Sequence, residues 1–529
     1  MSDLPKPHAP SETADRLAST TRRELTLAGL GSVLLSGCAP AAIRQLGQPS
    51  VDRFSLGVAS GCPRPSSLVL WTRLAGPDLP AAIDVRWEVA EDEHFRRIVT
   101  HGAEIVWDTW AHSVHAEPVD LAPGHPYFYR FHALGQTSPT GRTRTAPAPD
   151  AAATLDFAIA SCQRWDHGHY AAWRHLADEN LDLVIFLGDY IYESAPVAGR
   201  IRTHVGSGPA RTLEDYRARY AQYRSDPALQ RAHACAPWLV TWDDHEVEND
   251  YAATVPGRPD PDFAARRAAA TQAWWEHQPV PKSMRPVGSR IRIHDRTDWG
   301  TLARIHLLDG RQYRSVQPCR SPERGGGRMI RASACADLDD PQRTMLGAEQ
   351  EAWLANGWST RHPWNLLAQQ TLMSRWTSTD PASPEGRQVW TDGWDGYPAA
   401  RQRLLQSLKE RRIDGCVVLG GDIHASVVAD LRLDAEHPDA EIIATEFCGT
   451  SISSHGRPQA AVDASRPFNP HIRYARSDQR GYLRFRADPQ QLSVEVRSVH
   501  NALDPNSNIS TSARFTVESG RPGAHRSDL

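Results

Sequence analysis

Leu183-Val184-Ile185-Phe186-Leu187 runs without a break into Gly188-Asp189-Tyr190-Ile191-Tyr192-Glu193. Five consecutive apolar residues read as a strand buried on both faces, as the strands of parallel α/β sheets are. Val417-Val418-Leu419 leads in the same way into Gly420-Gly421-Asp422-Ile423-His424. Two more short segments carry similar side chains: Ala160-Ser161-Cys162-Gln163, which follows the strand-like Phe157-Ala158-Ile159-Ala160, and Trp242-Asp243-Asp244-His245-Glu246. Ligands of open α/β sheets gather where strands end. Cys, Asp, Tyr and His placed at several such ends therefore predict a single metal cluster.

The residue types narrow the metal. Asp189 can bridge two cations, because a carboxylate has two oxygens. Tyr192, three residues on, reaches the same cluster if the chain turns there; otherwise it is a core tyrosine. A phenolate from Tyr192 and a thiolate from Cys162 suit calcium or magnesium poorly and point to a high-valent transition ion, ferric iron. Asp243 and Asp244 ask for a second kind of ion, one carboxylate facing the cluster while the other anchors the loop. Such a centre matches the hydrolysis of phosphate esters.

The four segments, in this order, resemble the PhoD-type alkaline phosphatases, also called phosphodiesterase D, a branch of the calcineurin-like metallophosphoesterases. The resemblance extends from about Phe54 to Val496 and includes Gly57-Val58-Ala59-Ser60-Gly61, Val69-Leu70-Trp71-Thr72-Arg73, Arg311-Gln312-Tyr313-Arg314-Ser315 and Thr445-Glu446-Phe447. It implies an α/β fold, a layered β-sandwich flanked by helices, with metal ligands Cys162, Asp189, Tyr192, Asp243, Asp244, Asp422 and His424. Asp244 stands at the Asn of the superfamily's Gly-Asn-His-Glu motif and His245 at its His, which implies catalytic roles at the phosphate and the leaving group. Asp422 and His424 take the place of the late Gly-His-x-His motif with Asp for the first His, a swap that hardens the site toward calcium or manganese. The cofactors implied are Fe3+ and Ca2+, and the mechanism implied is in-line attack by a metal-activated hydroxide on phosphate monoesters or diesters. Two alternatives stay open: a phosphodiesterase acting on nucleic-acid, lipid or polyol-phosphate diesters, and a surface binding protein with structural metals only. One departure is Gly61-Cys62-Pro63, where relatives usually read Gly-Asp-Pro.

Composition and punctuation supply the rest. The chain has 529 residues, 40% hydrophobic and 23% charged, which is globular and long enough for more than one domain. A net charge of -4 offers no polycation, so neither nucleic acid nor an anionic membrane is indicated as a partner. Residues 1–50 read as an export segment and linker. Thr21-Arg22-Arg23-Glu24-Leu25 resembles a twin-arginine signal, and the apolar stretch from Leu25 to Leu35 is too short to span a bilayer. Leu35-Ser36-Gly37-Cys38 resembles a lipobox that would place a lipid anchor on Cys38, while Ala39-Pro40-Ala41 allows ordinary cleavage instead. The expected partners are thus phosphate esters and the twin-arginine export machinery, and the expected location is the periplasm or the cell surface.

Residues 51–148 read as an all-β sandwich of fibronectin III or immunoglobulin type, since Val85–Val89 and Tyr127–Phe131 alternate as half-buried strands do. Residues 149–518 read as the metallophosphoesterase domain, and 519–529 as a disordered tail. Cys319 and Cys335 flank an Arg- and Gly-rich loop that an exported compartment would allow them to bridge. Arg311 and Arg314 can either clamp a phosphate or form salt bridges. Asn249 can be a ligand or a cap. Asp392–Tyr397 with Arg401 reads as a loop rimming the site, or as one whose Trp394 and Tyr397 pack against the domain below.

Overall fold

The computed structural model describes residues 51–527 apart from 322, 435, 436 and 438. The expected export segment, with its arginine pair and Cys38, lies outside the described residues.

Leu155–Ala160, Leu183–Phe186 and Pro237–Val240 are adjacent parallel strands. Ile159, Leu183 and Ile185 enter one apolar cluster, while Ala158, Ala160, Val184 and Phe186 enter another. Both faces are therefore covered, which is why these strands are apolar at every position rather than at alternate ones. They sit at the centre of a ten-stranded sheet in the order Arg521–Ser527, Ile509–Glu518, Gln491–Val499, Arg480–Ala487, the three named, Val58–Gly61, Val69–Arg73 and Ser113–Ala116. A seven-stranded sheet faces it, in the order Asp295–Trp299, Ala303–Leu307, Trp364–Ala368, Cys416–Gly420, Ile442–Cys448, Ser426–Arg432 and Ile472–Arg476.

The inner faces of the two sheets form one core. Phe157 stacks on Phe485 with ring centroids 4.6 Å apart, and Phe447 meets Phe485 edge-on at 5.7 Å. Helices cover the outer faces. Leu213–Arg224 and Phe263–His277 contribute Tyr216, Tyr220 and Trp274 to the layer over the larger sheet, and Pro398–Glu410 brings Leu404, Leu405 and Leu408 against the smaller one. These helices begin where the chain supplies caps: Thr212 and Asp215 form a capping box, and Asp226 accepts from the N–H of Ala228 ahead of a helix opening on Pro227. Among the described residues no helix is long and apolar enough to cross a membrane.

Two expectations need correction. Residues 51–148 are built from strands, but they do not close on themselves at 148. Val58–Gly61, Val69–Arg73 and Ser113–Ala116 extend the ten-stranded sheet, and a second sheet with Ala82–Ala90 at its centre packs over them through Val85, Val89, Tyr129 and Phe131. Val58–Gly61 pairs in parallel with Pro237–Val240, so the backbone ladder continues across the expected boundary. The second correction concerns the tail. Arg521–Ser527 pairs antiparallel with Ile509–Glu518 after a turn at Gly520, and the N–H of Gly523 donates to Thr445 Oγ1 at 2.8 Å. Its polar side chains hide it from a pattern reading, whereas its backbone covers a strand edge that would otherwise stay unpaired.

Cys319 and Cys335 are bridged. The bridge backs a small apolar cluster of Ile330, Leu338 and Val389 that supports the short antiparallel pair Met329–Arg331 and Gln388–Trp390. Replacing both cysteines by serine should lower stability by about 2–4 kcal/mol, the usual range for a native bridge, and should speed proteolytic cleavage between 319 and 335. Unchanged melting and unchanged cleavage would show that the bridge does not hold this segment.

Candidate metal centre

The loops that leave four strands converge at one end of the sandwich. Cys162 follows Leu155–Ala160, Asp189 follows Leu183–Phe186, Asp243 and Asp244 follow Pro237–Val240, and Asp422 and His424 follow Cys416–Gly420 in the facing sheet. Cys162, Asp189, Asp422 and His424 all adopt the left-handed region, with φ of 58°, 58°, 64° and 54°. That conformation is costly for residues with a Cβ, and it is the kind of strain that collects at functional sites. Gly188 allows the closest approach: a Cβ there would lie 2.6 Å from Cβ of Asp243. Gly421 does the same between the sheets, where a Cβ would stand 2.4 Å from Ser161 Oγ.

Ligand atoms of Cys162, Asp189 and His424 lie within 4.8 Å of one another, as do those of Asp189, Asp244 and His245. Asp189 is common to both groups, the place expected of a bridging carboxylate. Tyr192 joins them: its hydroxyl donates to Asp189 Oδ2 at 2.7 Å and lies 3.2 Å from His424 Nε2. His424 Nδ1 donates to the carbonyl of His455 at 2.7 Å, which leaves Nε2 with its lone pair toward the cluster. Asp243 and Asp422 belong to no such triad among the described residues. Asp243 is held by Arg311, and Asp422 accepts from the Thr371 hydroxyl.

Glu246 ties the loops to each other. Its carboxylate accepts the backbone N–H groups of Asp189 (3.0 Å), Asp243 (2.8 Å) and Tyr190. Glu193 accepts from His245 Nδ1 at 2.7 Å and from the N–H of Asn249 at 3.1 Å, so Asn249 enters through its backbone. Arg311 resolves to ion pairs, with Asp243, with Asp392 at 2.7 Å and with Asp244 at 3.6 Å; Arg314 pairs with Asp392 at 3.0 Å.

The electrostatics show a site short of positive charge. Burial, followed by neighbouring carboxylates, pushes the Asp189 and Asp243 carboxyls well above the usual range despite His245 and Arg311. Burial and Asp244 raise Asp422 to about 6. Burial disfavours the charged form of His245, yet Glu193, Asp189 and Asp244 outweigh it and hold the imidazolium well above its ordinary pKa. Burial lowers His424 to about 3, so it is the neutral imidazole a metal requires. Asp189 Oδ1 and Asp243 Oδ2 are buried with no hydrogen-bond partner. Buried carboxylate oxygens left bare beside a thiol, a phenol and an imidazole fit bound cations.

Other members escaped the sequence reading. Asp244, Asp250 and Asp392 form a third close group, although Asp392 lies in the stretch read as a rim and Asp250 had no motif around it. Ser454 donates to Tyr192 OH at 2.9 Å or to the Cys162 carbonyl at 2.8 Å, and Arg480 donates to the Ser454 carbonyl. No spacing signals these residues: Arg480 opens the strand paired with Leu155–Ala160 and Ser454 follows the strand beside Cys416–Gly420, neighbours in the sheets but distant in the chain.

Comparison with known proteins gives the family. Residues 157–496 match the model of the PhoD-like phosphatase, and residues 37–147 that of the PhoD-like phosphatase N-terminal domain. The chain is 44% identical to alkaline phosphatase D of Bacillus subtilis (strain 168) over 493 residues, covering 89% of this chain and 82% of the relative. The solved structure of PhoD superposes with a TM-score of 0.84 at 41% identity, over 91% of this chain and 93% of that one. A purple acid phosphatase from yellow lupin seeds shares the fold at a TM-score of 0.54 and 13% identity, over 88% of this chain and 74% of that one. The chain belongs to the PhoD-like phosphatase family and is a phosphoric ester hydrolase.

Proposed function

We propose that this chain is an exported, metal-dependent phosphatase that hydrolyses phosphate monoesters and diesters at alkaline pH, using Fe3+ and Ca2+. The carrying observation is the meeting of Tyr192, Cys162 and His424 on Asp189, whose second oxygen is buried and bare. A set of phenol, thiol and imidazole would hold the ferric ion, and the all-oxygen group of Asp244, Asp250 and Asp392 suits calcium. When bound, the ions would supply Lewis acidity toward the phosphoryl oxygens and a nucleophile drawn from water. Export rests on the twin-arginine resemblance at Thr21–Leu25, with the periplasm or the cell surface as destination and Cys38 as the candidate lipid anchor.

The chain's own residues supply the remaining steps. His245 gives its Nδ1 hydrogen to Glu193, which fixes the ring and leaves Nε2 to hand a proton to the departing oxygen. Tyr192 packs against that ring with centroids 4.1 Å apart and limits its rotation. Arg311, saturated by three carboxylates, positions the Asp243 loop and is not available to clamp a phosphate.

Two measurements test this. Protein purified without chelator should be coloured by a phenolate-to-iron charge-transfer band; Tyr192→Phe should bleach it, and Asp189→Asn should lose metal together with activity, beyond the ~10² to 10⁴-fold of a lone acid–base group. Active, colourless, iron-free enzyme would refute the ferric assignment. His245→Ala should retain iron and lose about 10² to 10⁴-fold in turnover on an alkyl phosphate but much less on an aryl phosphate, whose oxide departs unaided. Equal losses on both esters would assign His245 to orientation alone.

A further inference from the structure

Thr371, Gly393 and Asp422 open onto a cavity of about 170 Å³ whose wall is apolar over Trp376, Trp390, Leu372, Ile423, Val462 and Met329 and polar at Ser374, Asp395, Arg457 and Ser477. Asp422 also belongs to the proposed metal centre, so the cavity begins where the phosphate would be held. A dry cavity of about 150 Å³ accepts a benzene ring, which makes this one ring-sized.

The wall is built in advance of any ligand. The backbone N–H groups of Met373 and Ser374 donate to Glu446 at 2.6 and 2.7 Å, and that of Trp376 donates to Asp395 at 2.9 Å. Asp395 is in turn paired with Arg401 at 2.9 Å. Trp390 sits opposite Met329 in the pair of strands backed by the Cys319–Cys335 bridge, and both are 37% exposed. Among the described residues neither Trp376 nor Trp390 stacks on another aromatic ring; Trp376 packs against the cluster of Leu372, Ala425 and Val462, and Trp390 against Gly327. Both remain partly exposed and line the cavity, so indole surface borders a site for a highly polar group.

We propose that this cavity is the subsite for the organic group of the ester, and that it selects aromatic, ring-sized alcohols over small ones. The inference rests on the phosphoester reading of the metal centre. Gly393 is the gate residue: its backbone has φ of -81°, which any side chain tolerates, and a Cβ there would meet nothing closer than Thr371 Oγ1 at 3.8 Å. A larger side chain at 393 therefore grows into the cavity without displacing its wall.

The test compares metal-loaded enzyme on 2-phenylethyl phosphate and ethyl phosphate, whose alcohols have similar acidity, so leaving-group chemistry cancels. Wild type should favour the phenylethyl ester about 10-fold in kcat/KM, expressed in KM. Gly393→Val, and independently Trp376→Ala, should bring the ratio of the two kcat/KM values close to one. Calorimetric binding of phenylphosphonate against methylphosphonate should show the same preference and the same loss. Hydrolysis of both esters with an equal ratio in wild type and variants would overturn the subsite and leave the phosphatase reading intact. Should neither ester be hydrolysed, the monoesterase reading fails, and the phosphonate preference still decides the subsite: equal binding of both overturns it.

Discussion

One guanidinium holds the site together. Arg311, with its side chain 1% exposed, faces Asp243, Asp244 and Asp392, and so joins the loop after Pro237–Val240 to the loop after Ala303–Leu307 and to the rim. A buried charge is tolerated only with a partner, and removing one member of such a set strands the others. Yet Arg311, Arg314 and the His245 imidazolium are outnumbered by Asp189, Asp243, Asp244, Asp392, Asp422 and Glu193, which leaves the site short of positive charge. The same carboxylates that organise the loops thereby create the demand for metal ions. Stability of the site and its chemistry have a single electrostatic origin.

Backbone geometry follows from that convergence. Seven ligand candidates must come together from both sheets, and at four of them the chain turns sharply just past a strand end. Hence the left-handed conformations at Cys162, Asp189, Asp422 and His424, and the glycines at 188 and 421 where loops touch. The two-sheet sandwich makes such strain affordable, because its core is packed on both faces and the loops are pinned by Glu246 and Glu193. Strand ends carry the ligand candidates, while the rim with its tryptophans lines the neighbouring cavity.

Much of this was legible in the chain. Unbroken apolar runs at Leu183–Leu187 and Val417–Leu419 mark doubly covered strands, and the Asp, Tyr and His after them are hard and borderline donors of the kind that gather at strand ends. The pairing of Cys319 with Cys335 was legible for a related reason, since both flank one short polar loop. Tertiary structure alone decided what depends on long-range pairing. Val58–Gly61 joins the catalytic sheet, and Arg521–Ser527 becomes a strand, through backbone hydrogen bonds that carry no side-chain signature. Arg311 was ambiguous between a phosphate clamp and an ion pair until three carboxylates from distant segments surrounded it. Asp392, Ser454 and Arg480 gain their roles only by proximity across the sandwich, since a residue's partners in space leave no trace in its spacing along the chain.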